Sequence, residues 1–260
     1  MEKVLDRIVM QRTYLYLLFF PPSFICFVNY GYKKVSIVKY LYCFIYLDIM
    51  NLKEELIKFW EERGLIKDER LFDAFRAIDR KKFVPKEYLD EAYGDYPLPI
   101  EKGQTISQPS TVLIMIQALE LKETDKVFEV GTGSGWCAAL IAWICKKGKV
   151  FTTEIIPELI KFANKNLKKF DLKNLKVLEI DGSEGYAKQA PYDKIIVTAA
   201  CPKIPEPLIE QLKEGGIIVA PVGAWFGQKM IKARKVKGKL VKENLGYFMF
   251  VPLKGKYGYK

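Results

Sequence analysis

The chain has 260 residues, 50% hydrophobic and 28% charged, which is enough apolar material for one closed core and too much for a disordered chain. Lys and Arg number 42 against 31 Asp and Glu, but the net charge of +11 is spread without a run of five like charges, so it describes a solvated basic surface rather than a nucleic-acid site. There is no histidine, which excludes His-ligated zinc, a Ser-His-Asp triad and an imidazole base, and the five cysteines (26, 43, 137, 145, 201) form no C-x-x-C pair, which favours a reducing, cytoplasmic setting over a disulfide or zinc framework.

Residues 1–49 differ in texture from the rest. Tyr14 to Val28 is apolar but broken by Pro21 and Pro22, and the run from Val35 to Met50 carries Lys39 and Asp48. A membrane-spanning helix needs about 20 apolar residues without such a break, and no small-residue cleavage site marks a signal peptide. The segment is open to three interpretations: a non-native extension from a start codon placed too far upstream, with Met50 the true start; a hydrophobic anchor or interaction arm; or an integral part of the fold. The first is favoured, because Asn51 can cap a helix whose first turn holds Glu54 and Glu55, where the helix dipole favours negative charge.

After Met50 the spacing predicts an amphipathic helix over 52–63, with Leu52, Leu56, Phe59 and Trp60 as its stripe and Gly64 as its stop. A second helix is expected over 69–79, burying Leu71, Phe72, Phe75 and Ile78. Tyr93 to Pro99 is rich in Pro, Tyr and Gly and is expected to be irregular. Pro109 opens a helix reaching about Leu121. From Asp125 onward strands are predicted at 126–130, 149–154, 175–180, 193–199 and 216–222, and helices at 135–146, 157–170 and 205–213. Such alternation implies a Rossmann-like α/β fold: a mostly parallel sheet with helices on both faces. Residues 228–251 add two or three antiparallel strands. The expected division is 1–49 as an extension, 50–108 as N-terminal helices and a polar loop, and 109–260 as the cofactor-binding core.

Gly131, Gly133 and Gly135 stand at the end of the first core strand in a G-x-G-x-G pattern, with Trp136 where a dinucleotide fingerprint needs glycine. Glu129 lies two residues before that turn, Glu154 ends the second strand, and Asp181 follows the third. A carboxylate at Glu154 can accept from both hydroxyls of a ribose, Asp181 is placed for an adenine amino group, and Glu129 for a cationic amine. Singly, each acid serves equally well as a cap on the next helix. Together they describe a ligand with adenine, ribose and a cationic amino-acid tail but no phosphate, which is S-adenosylmethionine.

Just upstream, Gln104-Thr-Ile-Ser-Gln-Pro109 forms a hydroxyl-rich loop. This loop, with Val127-Phe-Glu-Val-Gly-Thr-Gly-Ser-Gly135, Ala190-Pro-Tyr-Asp-Lys-Ile-Ile-Val-Thr-Ala-Ala200, Leu212-Lys-Glu-Gly-Gly216 and Phe250-Val-Pro-Leu253, resembles the protein-L-isoaspartate (D-aspartate) O-methyltransferases over essentially all of 50–254. The resemblance implies methyl transfer from S-adenosylmethionine to the α-carboxylate of L-isoaspartyl residues in damaged proteins. It makes Ser107 the active-site residue. It assigns Thr105, Ile106, Gln108, Glu129, Gly131, Thr132, Gly133, Ser134, Gly135, Glu154, Ile155, Asp181, Gly182 and Gln228 to the cofactor. Ala199, Ala200, Cys201 and Pro202 are assigned to the substrate backbone. Cys201 departs from the small residue usual there, and residues 1–49 match nothing in the family. The expected partners are isoaspartyl proteins and peptides, with no nucleic acid, membrane or metal, and a monomer is the expected working unit.

The chemistry suits this residue set. A carboxylate is already ionised at neutral pH and needs no general base, so the missing histidine is no obstacle. Ser107 then serves as a hydrogen-bond donor that orients the substrate, a role compatible with its other reading as a helix cap before Pro109. An RNA methyltransferase is the main rival, but Thr198-Ala-Ala-Cys201 has no aromatic on which to stack a base. A non-catalytic protein on the same fold is the second.

Overall fold

The computed structural model describes residues 52–224 and 226–259; the expectations for residues 1–51, including the Asn51 cap, lie outside them. Helix α1 (52–62) buries Lys53, Leu56, Ile57 and Trp60, a stripe one residue out of phase with the expected one. Leu52 is 45% exposed and Phe59 half-buried, because the i, i+3, i+4, i+7 row facing the core begins at Lys53. The Lys53 stem crosses that core, and its ammonium donates to the Arg76 carbonyl at 2.7 Å and faces the rings of Phe75 and Tyr93. Gly64, at φ +60°, ends the helix with Leu65 N donating to the Trp60 carbonyl.

Helix α2 (Glu69–Ala77) is capped by Asp68 and buries Leu71, Phe72 and Phe75, with Ile78 following at its C-cap. The chain then runs through short turns to a feature absent from the sequence expectation. Leu98–Pro99 (β1) pairs antiparallel with Thr105–Ile106 (β2), so the end of the Tyr93–Pro99 stretch is regular after all. Helix α3 (Pro109–Ala118) follows at once, with Pro109 in its first turn.

The core sheet has seven strands in the order β5-β4-β3-β6-β7-β8-β9. These are β3 (Lys126–Val130), β4 (Lys149–Glu154), β5 (Leu175–Glu179), β6 (Tyr192–Val197), β7 (Leu212–Ala224), β8 (Gly227–Val236) and β9 (Lys239–Phe248). β5, β4, β3, β6 and β7 are mutually parallel, and β8 and β9 add antiparallel pairs. The connecting helices are α4 (Trp136–Ile144), α5 (Pro157–Leu167) and α6 (Glu206–Gln211). Alternate residues of one strand serve different cores: Val127 joins the cluster containing Leu140 and Leu159, whereas Phe128 and Val130 join the one containing Leu208. Both faces are therefore covered, as the apolar strands require. Helix α6 stops two residues early and β7 starts four residues early, because Leu212 already pairs with Tyr192. Among the described residues no helix is long and apolar enough to cross a membrane.

Strand order reverses at β3, with β4 on one side and β6 on the other. Ligands of open α/β sheets bind in the crevice outside the carboxyl ends of the strands at such a point.

Candidate active site

The glycine turn sits at that reversal. Gly131 has φ +98°, and a Cβ there would stand 2.7 Å from Thr198 Oγ1. That hydroxyl donates to the Gly131 carbonyl at 2.6 Å, so the loop after β3 is tied to the end of β6. Gly131 N and Thr132 N both donate to the Thr153 carbonyl on β4, and Gly135, at φ +87°, opens α4. Gly133, at φ +54°, is different: a Cβ there meets nothing nearer than Ile100 Cδ1 at 3.9 Å. The turn is therefore packed beneath and open above.

Glu154 closes the turn from the side. Its Oε2 accepts from Gly133 N at 3.0 Å, and its Oε1 accepts from Ile155 N and Ile156 N, at the start of α5. The carboxylate thus ties the glycine loop to the next helix while remaining on the cleft wall.

Thr105, Ile106 and Ser107 line the same cleft. Strand β2 fixes the first two by pairing Thr105 with Pro99 and Ile106 with Leu98. Ser107 is not the cap of α3: Gln108 occupies the N-cap position and makes no side-chain cap bond. The cleft encloses about 900 Å3 of space free of protein atoms, its open mouth included. Of the residues expected at the site it brings together Thr105, Ile106, Ser107, Gly131, Thr132, Gly133, Ser134, Glu154, Ile155, Gly182 and Ala199.

The others stand behind the wall, for identifiable reasons. Glu129 is fully buried under the turn, with Thr152 Oγ1 donating to it at 2.6 Å, and is not among the residues that line the cleft. Burial pushes its carboxyl up to about 7, and the Cys137 thiol next to it is pushed up likewise. Asp181 acts as a cap: Oδ1 accepts from Ser183 N and Oγ, and Oδ2 from Lys256 N at 2.8 Å. Gln108 turns its side-chain carbonyl to Thr111, and Gly135 is spent on the start of α4.

Gln228 is buried, its amide donating to the Ala224 carbonyl and its oxygen accepting from Phe250 N at 2.9 Å. It therefore reaches the cleft only through Phe250, which lines it. The expected backbone contact at Ala199 to Pro202 is narrower than read from the sequence. The N–H and carbonyl of Ala200 are taken by Val251 and Leu253, those of Cys201 by Pro221 and Gly223, and Pro202 is exposed. Phe250 to Lys254, by contrast, form a wall of the cleft. The Phe250-Val-Pro-Leu253 motif was visible in the sequence, but its place in the cleft wall was not.

The donor set fits S-adenosylmethionine. Among the described residues, the charged ones lining the cleft are Glu154 and Lys254. A single carboxylate at the end of β4 suits ribose hydroxyls, the open face at Gly133 admits close backbone approach, and the apolar Ile155 and Ile180 offer flat contact for a base. Lys254 alone is a poor match for a pyrophosphate.

Comparison with known proteins agrees. Residues 50–258 match the family model for protein-L-isoaspartate(D-aspartate) O-methyltransferase. A protein-L-isoaspartate O-methyltransferase of Archaeoglobus fulgidus is 51% identical, over 74% of this chain and 88% of that protein. One from Pyrococcus abyssi is 44% identical, over 82% and 100%. A crystal structure of a beta-aspartate methyltransferase from Plasmodium falciparum, in complex with S-adenosyl-L-homocysteine, superposes with a TM-score of 0.69 at 25% identity, over 77% of this chain and 97% of that one. A further protein-L-isoaspartate O-methyltransferase structure gives 0.73 at 28% identity, over 79% and 67%. With its fold, its cleft and these relatives in agreement, the chain belongs to the protein-L-isoaspartate (D-aspartate) O-methyltransferase family.

Proposed function

We propose that Ser107 orients the substrate carboxylate by donating a hydrogen bond from its hydroxyl, with Thr105 and Ile106 shaping the same wall. The reaction is that of the family: S-adenosylmethionine-dependent methylation of the α-carboxylate of L-isoaspartyl residues in damaged proteins. The observation that supports these roles is that the Thr105–Ser107 loop and the Gly131–Ser134 turn line one cleft.

When bound, the cofactor supplies a methyl group on a positively charged sulfur: a carboxylate oxygen forms the new C–O bond as the C–S bond breaks, and the electron pair stays on sulfur. The protein need not move a proton, since the attacking group is already ionised. Its task is alignment, for which about 7–11 kcal/mol is available in favourable cases, and exclusion of water, which strengthens the attraction between carboxylate and sulfonium. Ile106, Val112, Met115, Leu159 and Phe250 supply the apolar lining for the second task. With the cofactor bound, Glu154 would accept from the ribose, the open face of the turn at Gly133 would lie against the amino-acid end, and Ile155 and Gly182 would flank the adenine. Glu129, Asp181 and Gln228 support these groups from behind the wall.

We place the enzyme in the cytoplasm as a monomer acting on proteins and peptides rather than nucleic acid. Buried, unbridged Cys137, Cys145 and Cys201 support a reducing setting, and the absence of an aromatic in 198–202 supports the choice of substrate. Residues 50–108 carry the N-terminal helices and substrate loop, 109–260 the cofactor core, and 1–49 an extension outside the catalytic unit.

Titration calorimetry with S-adenosylmethionine, paired with release of methanol from methyl ester after base treatment, tests the assignment. Ser107→Ala is expected to retain cofactor binding and lose ester formation. Loss of both together would show that Ser107 belongs to the cofactor site.

A further inference from the structure

We propose that Arg80 is a positioning residue for the substrate loop, holding Ser107 in register through its backbone carbonyl. This rests on the reading of Ser107 above. Arg80 begins the short turn after α2 and is fully buried, although its neighbours in sequence are Lys81 and Lys82. Its Nη2 donates to the carbonyl of Ser107 at 3.0 Å and to that of Tyr96 at 3.3 Å, and its Nη1 donates to the carbonyl of Ala92. The guanidinium lies 5.3 Å from the Trp136 ring centre, and Trp136 is the first residue of α4, directly after the glycine turn. Trp136 Nε1 donates in turn to the Ile78 carbonyl, two residues before Arg80.

A buried guanidinium is costly unless its charge and donors are met. Asp95 supplies the opposing charge, and its carboxylate also accepts from Ser110 N at 2.9 Å in the first turn of α3. Burial lowers the Arg80 pKa to about 10, so the group stays cationic at neutral pH. Nε has no partner among the described residues, so the arrangement is not one that stability alone favours. What it achieves is geometric. The β1–β2 pair fixes the loop up to Ile106, Pro109 starts α3, and the Ser107 carbonyl between them is held by Arg80. Fixing that carbonyl fixes the peptide plane after Ser107, and with it the direction in which the Ser107 side chain leaves the backbone. A planar fork with five donors can reach three carbonyls on both sides of the β1–β2 pair, whereas a lysine ammonium is a point charge on a flexible stem.

The test is steady-state kinetics on an isoaspartyl peptide alongside the dissociation constant of S-adenosylhomocysteine, for Arg80→Lys and Arg80→Gln. Each is measured where circular dichroism shows the variant folded. Arg80→Lys is expected to lower kcat/KM for the peptide by roughly tenfold or more, while the dissociation constant changes less than twofold. Arg80→Gln retains two N–H donors without a charge of its own to bury, and is expected to show the same split. A kcat/KM within twofold of wild type, or a cofactor affinity that falls in parallel with turnover, overturns the proposal, as does failure of both variants to fold. A wild-type chain that leaves the isoaspartyl peptide unmethylated instead overturns the reading of Ser107 itself.

Discussion

Ser107 and Glu129 carry the residue-level predictions, one on each side of the cleft wall. A hydrogen bond to a charged group contributes about 1.5–3 kcal/mol. Ser107→Ala should therefore lower kcat/KM for an isoaspartyl peptide roughly tenfold to a hundredfold, with cofactor affinity changed less than twofold in calorimetry. Glu129 predicts a pH signature. Burial holds its folded pKa at about 7, above the ordinary carboxylate value of 4.5. Between those limits the folded protein keeps a proton that the unfolded chain has lost, so stability falls as pH rises from about 4.5 to about 7 and is level above that. The effect of one such group is of order 3 kcal/mol. Glu129→Gln should remove it, seen as a flatter Tm profile between pH 5 and 7 than wild type; an unchanged slope would place the proton elsewhere. That Glu154 and Ser107 line one cleft was legible in the sequence, Glu154 from its place at a strand end and Ser107 from the family resemblance of its loop. Arg80 was not, since it reads locally as the start of an exposed basic run, and its contact with Ser107 spans 27 positions that no periodicity connects.

At the scale of elements, the glycine turn separates two costs that sequence alone merges. Gly131→Ala adds a methyl 2.7 Å from a hydroxyl already bonded to the loop, at φ +98°, a strain of about 1–3 kcal/mol that should appear as a lower Tm. Gly133→Ala, at φ +54° with open space around the new methyl, should cost about 1–2 kcal/mol. It should instead weaken S-adenosylhomocysteine binding several-fold, because the methyl stands on the open face of the turn. Equal Tm losses with unchanged binding in both would contradict the packed-beneath, open-above geometry. The strand β3 matches its expected bounds, 126–130, because Val127 to Val130 is buried on both faces and ends at the turn. Elements whose limits depend on distant partners were less legible: β7 begins at Leu212 by pairing with Tyr192, and the two-residue β1–β2 pair has no periodic signal at all. The phase of α1 was misread because Lys53, buried along its stem, resembles a surface residue in sequence.

For the whole molecule, the family match begins at residue 50 and ends at 258. A chain beginning at Met50 should therefore fold and keep the full chain's kcat and KM within about twofold; aggregation or loss of turnover would assign residues 1–49 a part in the catalytic unit. The net charge of +11 is spread along the sequence without a block of like charges, so turnover of a neutral peptide should change little with ionic strength. The most direct test of the central claim offers the enzyme two peptides that differ only in carrying an isoaspartyl or a normal aspartyl residue, with S-adenosylmethionine labelled in the methyl group. Label should pass to the isoaspartyl peptide alone, as a base-labile methyl ester. Equal labelling of the two peptides, or labelling of neither, would contradict the account.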